Sequence, residues 1–212
     1  MRYFITIILI AVFQISALAQ DSVLNEVQQQ LDQQKELKKT LVYSFTTLSY
    51  IHKLDKQGLV EKTDTVISWH KYKGDSLLEF RIISSPDKDQ YKEPGKKQRQ
   101  EKFKLPKLTD PKYDYSVNPN ECSITFNPVN PKSGDLAGRI NYDPQDMALK
   151  KIALTMPKLK WPMNEFAMRA EFTMVEEFLL PSQTWMQAGW NAMISKGRIR
   201  VDNCCSGYNI YK

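Results

Sequence analysis

The sequence predicts a mainly β protein with helices, in which one N-terminal amphipathic helix leads into a single large antiparallel sheet, curled or closed. Three observations carry that reading. Apolar residues recur at helical spacing over residues 22–41. From Val42 onward, β-branched and aromatic segments follow one another across hairpin-length turns, roughly ten in all. No helical pattern separates successive strands, which argues against a parallel α/β sheet, and no internal period suggests a solenoid or propeller.

The opening residues come first. Met1-Arg2 supplies a positive charge, Tyr3 to Phe13 is apolar apart from Thr6, and Ala17-Leu18-Ala19 places small residues where a signal peptidase reads them. That is the layout of a secretory signal peptide over 1–19, with a single domain over 20–212 beginning at Gln20. The alternative is an uncleaved anchor. Tyr3–Ala19 contains Gln14 and Ser16 and is short beside the ~20 apolar residues a span needs. No cysteine follows the cleavage site, which argues against a lipid anchor, and no second run approaches spanning length. The expected location is exported and periplasmic, with secretion as the alternative.

In the helix, Val23, Leu24, Val27, Leu31, Leu37 and Leu41 form one stripe. Asp21 or Ser22 is the expected cap, Asn25-Glu26 puts acid in the first turn, and a glutamine-rich polar face suggests a helix lying on a larger body. Strands follow at Val42–Leu54, Leu59–Tyr72 and Leu77–Ser84, across turns at Lys56-Gln57-Gly58 and Lys73-Gly74-Asp75. Residues 86–112 interrupt them with nine Lys or Arg, five Asp or Glu, and Pro86, Pro94, Pro106 and Pro111. Such a basic connection is a solvated loop or a contact surface for anionic head groups or an acidic partner.

Strands resume at Tyr113–Val117, at Glu121–Asn127 with Cys122, Ile124 and Phe126 on one side, and at Leu136–Tyr142 and Leu149–Met156. The longest run is Asn164–Glu177. Pro181-Ser182 leads to Gln183–Ser195, and Arg198–Asp202 and Tyr208–Tyr211 close the chain. On 164–177 one face reads Phe166, Met168, Ala170, Phe172, Met174, and the other Glu165, Ala167, Arg169, Glu171, Thr173. Its partner offers Met186, Ala188, Trp190, Ala192 and Ile194 against Gln183, Gln187 and Asn191. The dry faces read either as core packed on the helix or as the wall of a hydrophobic cavity, because Met and aromatic residues beside Ala suit a pliable apolar site. On the second reading the ligand-binding residues are Phe166, Met168, Phe172, Met174, Met186, Trp190 and Ile194.

Catalytic patterns are missing, so no enzyme is expected. There is no Gly-x-Ser-x-Gly elbow or phosphate-cradling glycine loop. Glu176 and Glu177 are neighbours on a strand and point apart, Asp143 and Asp146 surround a turn, and His52 and His70 read as surface or cross-strand residues. Cys122, Cys204 and Cys205 form no Cys-x-x-Cys and stand at no ligand spacing with histidine, so neither a metal nor a cofactor is expected. In an oxidising compartment Cys122 could bridge to Cys204 or Cys205, or the adjacent pair could close on itself. The net charge of +6, which falls by one without Arg2, is weak evidence for nucleic acid, and none is expected as a partner.

Taken together, the pattern resembles the outer-membrane lipoprotein-sorting (LolA/LolB-like) family. The likeness rests on the signal layout, the helix at 22–41, and the opening pair Tyr43–Leu54 and Leu59–Tyr72 joined by Asp55-Lys56-Gln57-Gly58. It rests also on Ser123-Ile124-Thr125-Phe126-Asn127-Pro128, on Gly138-Arg139-Ile140-Asn141-Tyr142-Asp143 running to Leu149-Lys150-Lys151-Ile152, and on the long closing strands. The resemblance implies an unclosed β-barrel with helices plugging its mouth, binding acyl chains or apolar peptide segments and carrying them between membranes. The family's carrier holds its lid with an arginine on an early strand. Here the first two strands have none and Arg81 lies on the third, so that role is not carried over. The expected function is an exported soluble binder or carrier of lipids or lipoprotein acyl chains in the cell envelope. The alternative is a non-catalytic envelope interaction or stress-sensing module with a filled barrel, docking a protein partner or an anionic membrane surface through 86–112.

Overall fold

The sequence 2–40 contains neither glycine nor proline, so nothing in it stops a helix. In the computed structural model, which describes residues 2–87, 105–193 and 195–211 with side chains from Gln20 on, α1 accordingly runs Arg2–Thr40. Asp21 and Ser22 are therefore interior rather than caps, and Ser22 Oγ donates to Glu26 one turn on (2.7 Å). Among the described residues no helix is long and apolar enough to cross a membrane.

Ten strands follow: β1 Val42–Leu54, β2 Val60–Lys73, β3 Ser76–Ser84, β4 Tyr113–Asn118, β5 Ser123–Pro128, β6 Ala137–Tyr142, β7 Leu149–Thr155, β8 Met163–Val175, β9 Phe178–Asn191 and β10 Lys196–Tyr211. They form one antiparallel sheet ordered β3-β2-β1-β10-β9-β8-β7-β6-β5-β4. Two meanders, β1–β3 and β4–β10, are thus joined by pairing of the first strand with the last, Val42 opposite Tyr211 through Lys53 opposite Ile199. The edges β3 and β4 are sequence neighbours that do not pair, and the sheet is a curled, unclosed barrel.

Two breaks read from the sequence fall elsewhere, each for a local reason. The β8–β9 turn falls at Glu176-Glu177, with Glu176 at φ +55°, and not at Pro181-Ser182. Pro181 is tolerated inside β9 beside a bulge at Ser182, the extra residue between the pairs Glu171–Gln183 and Phe172–Pro181. The two closing segments are one strand, since Gly207, at φ +65°, is absorbed in a bulge opposite Phe45. Edge strand β3 carries two bulges, which leave Leu78 and Ile83 exposed and spoil the edge for pairing with another chain.

The helix packs over one half of the concave face. Leu24 and Val27 are buried against Ile124, Phe126, Ile152 and Phe166 of β5 to β8. The helix's glutamines fasten it to the sheet backbone. Gln20 Nε2 donates to the Tyr115 carbonyl (2.8 Å), and Gln28 Oε1 accepts from Leu108 N (2.8 Å). Gln34 Nε2 donates to the Glu177 carbonyl (3.2 Å) while its Oε1 accepts from Leu179 N (2.9 Å). The end of the basic connection is held by the same means at one point: Leu108 is buried beneath the helix, while Lys107, Thr109, Pro111 and Lys112 stay exposed, and 88–104 lies outside the described residues.

The cysteine pairings do not form. Cys122 precedes β5, which is separated from β10 by four strands, about 24 Å at sheet spacing. Cys204 and Cys205 point to opposite faces of β10, and all three thiols are free.

Gln34→Ala removes both halves of the clamp on the β8–β9 turn. It should cost about 1–2 kcal/mol in urea denaturation, while Gln34→Glu, which keeps the acceptor, should cost less.

Candidate functional site

The helix leaves the other half of the concave face uncovered among the described residues. There, alternate residues of β1 (Phe45, Thr47, Ser49, Ile51) and β2 (Val66, Ser68, His70, Tyr72) point inward together with Phe80 and Ile82 of β3. Thr184 of β9 and Asn203 and Cys205 of β10 close the far wall. They enclose an open trough of about 490 Å³, within the range of small-molecule sites.

Its floor is an aromatic ladder built by strand register. Phe45 lies opposite His70 with the rings stacked 5.1 Å apart, and His70 meets Phe80 edge-on at 5.0 Å. Tyr43 and Tyr72 stack at 5.6 Å, and Tyr208 leans on Phe45 at 5.2 Å. The polar wall groups bond to one another. Ser68 Oγ and His70 Nε2 share a 2.8 Å hydrogen bond, and Asn203 Nδ2 donates to Thr184 Oγ1 (2.9 Å). The Tyr208 hydroxyl donates to the Pro181 carbonyl. Burial lowers the pKa of His70 below its ordinary value and raises those of the Cys205 thiol and the Tyr208 hydroxyl. At neutral pH the trough is therefore lined by uncharged groups, suited to an apolar ligand.

A second cleft of about 740 Å³ opens at one end of the sheet, beside the β1–β2 turn and the β9–β10 hairpin. It is larger, but its walls are charged, by Lys53, Asp55, Lys56, Glu61, Glu165, Lys196 and Arg198, some of them paired. Glu165 accepts from Arg198 and from Gln187 (2.6 Å), and Arg198 holds its carboxyl below the usual range; Lys53 pairs with Glu61 at 3.1 Å. Size alone therefore does not make it the better apolar site.

The residues singled out from sequence fall in several places. Phe166 is buried in the core beneath the helix, and Met168, Phe172 and Met186 pack against the same cluster, with Met168 opposite Met186. Met174, near the β8–β9 turn, is 49% exposed. Trp190 lines the charged cleft, and Ile194 lies outside the described residues. Four of the seven are thus brought together, under the helix rather than in the open trough. The trough residues were visible in sequence only as inward positions of β1 and β2, where Tyr43 and Phe45 alternate toward the ladder with His70 and Tyr72.

The remaining candidates have structural partners. His52 Nδ1 bonds Thr63 Oγ1 across the strands (2.8 Å), and its Nε2 lies 3.1 Å from Asp202. Asp143 pairs with Lys150 at 2.7 Å. Arg81 pairs with Glu79 and stacks on Trp69, on strand positions that alternate with the trough-lining Phe80 and Ile82.

No family model matches this chain, and no curated protein does. Among solved structures it is similar to a LolA superfamily protein from Nitrosomonas europaea, at 9% identity, covering 91% of this chain and 94% of that one, with a TM-score of 0.38. It is also similar to a chain of the Pseudomonas aeruginosa MucA/MucB complex, at 9% identity, covering 85% and 94%, with a TM-score of 0.23.

The lowered pKa of His70 has a sign for stability. The unfolded chain takes up this proton at higher pH than the folded one. The contribution is whole above the ordinary histidine value, ~6.5, and is lost as pH falls from there toward the lowered value. Urea titrations should show wild type losing stability over that window relative to His70→Phe. Parallel losses in the two proteins would contradict the assignment.

Proposed function

We propose that the protein is an exported, non-catalytic binder of lipid acyl chains, a carrier in the cell envelope, and that the open trough is where the chain lies. The observation that carries this reading is the apolar, aromatic-floored half of the concave face, which the single helix leaves uncovered. The signal-like layout of residues 1–19 supports export, and hence a periplasmic setting.

The magnitudes are compatible with reversible loading. A dozen methylenes taken from water supply about 10 kcal/mol at ~0.8 kcal/mol each. Against an association cost at the low end of about 4–15 kcal/mol, the net affinity is on the order of tens of micromolar. Such an affinity lets a ligand be picked up and released. The residues under the helix belong to the same reading. Thr184, in the trough wall, is two positions before Met186 on one face of β9, so a longer chain reaches Met168, Phe172, Met186 and Phe166 by displacing α1.

Ser49→Trp fills the trough from a half-buried position without removing a core side chain. A fluorescent fatty acid should bind wild type and bind this variant at least about tenfold more weakly, with the two proteins equally stable. No binding by wild type would favour a filled-barrel interaction module instead.

A further inference from the structure

Most soluble proteins scatter their exposed apolar residues singly over the surface. In this one they gather. Of the ten large apolar side chains exposed among the described residues, five lie at one end of the sheet: Leu59, Val60, Val129, Trp161 and Met193. The antiparallel register puts them all at the same end. The β1–β2 turn, the β5–β6 link, the β7–β8 link and the β9–β10 hairpin all leave the sheet at this end.

Two of these segments protrude most. Ala192 and Ser195 exchange backbone hydrogen bonds (2.8 and 3.3 Å), which puts Met193, 95% exposed, at a hairpin tip. Trp161, 69% exposed, stands on the β7–β8 link, whose Leu159 instead turns inward to the core. Asn191 N donates to the Pro162 carbonyl (2.8 Å) and ties the two segments together.

The charge on the tips of these four connections is mainly positive. Residues 156–163 and 190–197 contain Lys158, Lys160 and Lys196 and no acid. Across all four segments there are five lysines, with Lys56 and Lys132, against Asp55 and Asp135. Both aspartates are engaged in their own turns, Asp55 accepting from Leu59 N (2.8 Å) and Asp135 from Lys132 N (2.7 Å). None of the five lysines pairs with an acid among the described residues.

We propose that this end of the sheet docks on an anionic lipid bilayer, with Trp161 and Met193 entering the interface and the lysines meeting the head groups. Separate apolar tips on different loops, interleaved with lysine, suit a deformable interface better than the continuous flat patch of a protein contact. The inward row of β1 runs from the trough at Ile51 to Lys53 at this same end, so docking would bring the trough close to the lipid. The surface is distinct from the acyl site and stands or falls separately from it.

The test is quenching of tryptophan fluorescence in the full chain by brominated lipid, in vesicles of phosphatidylcholine with and without phosphatidylglycerol. Quenching should require phosphatidylglycerol, weaken with salt, and be mostly lost in Trp161→Phe. Lys158→Glu with Lys160→Glu should weaken the vesicle titration at least about tenfold. These are exposed loop positions, and unchanged circular dichroism would show the fold intact. Quenching that persists in Trp161→Phe would overturn the proposal, as would none at all. So would self-association that depends on Trp161 without vesicle binding, which would make this end a contact between copies.

Discussion

The pairing of β1 with β10 is the constraint on which the rest of the molecule depends. Without it the chain is two meanders, one of three strands and one of seven, each with a free edge. With it they share one concave face, and the aromatic ladder of β1 and β2 acquires a far wall from β9 and β10. The pairing is also the contact of greatest sequence separation, Val42 with Tyr211, so its loop-closure entropy must be offset by burial of the residues along it. Leu41, Tyr43, Phe45 and Leu180 supply that burial as a second apolar cluster beside the helix-covered core.

Geometry then decides how much of the concave face is core. The long strands β1 and β10, of 13 and 16 residues, run about 43 and 53 Å at ~3.3 Å per residue, whereas the helix that crosses the sheet is, with its side chains, about 10–12 Å across. A single helix laid against such a sheet cannot cover it, even after curling. Here it crosses from β4, where Gln20 holds the Tyr115 carbonyl, to β9, where Gln34 holds Leu179, with Leu24 and Val27 buried over β5 to β8, and among the described residues it leaves the inward positions of β1 to β3 open. The open half keeps its wall polar groups bonded to one another and its titratable groups neutral, so that leaving it uncovered exposes no unpaired charge. A core and a cavity are thus two stretches of one surface, and the position of α1 divides them.

The fold was largely legible because period-2 alternation and hairpin turns are local signals. The strand starting at Val42 and the edge strand ending at Ser84 emerge with those ends, and the antiparallel order follows from the short connections. What misled were punctuating residues neutralised by bulges: Pro181 inside β9 and Gly207 inside β10 read as breaks but are irregularities in continuous strands. The site was legible only in kind. Alternation shows that Phe166 and Met168 face inward, but whether an inward face meets a helix or open space depends on where α1 lies, which no local pattern in β8 encodes. The exposed Trp161 and Met193 were hidden for a related reason, since only the register brings residues 161 and 193 together.

The claim that the trough, and not the helix-covered core, receives an apolar ligand is tested most directly by photocrosslinking. A medium-chain fatty acid carrying a diazirine, irradiated with the protein and mapped by mass spectrometry, should label the inward residues of β1 to β3, with Phe45, His70 and Phe80 foremost. Labelling confined to Phe166, Met168, Phe172 and Met186, or spread over the outer face without preference, would contradict the account.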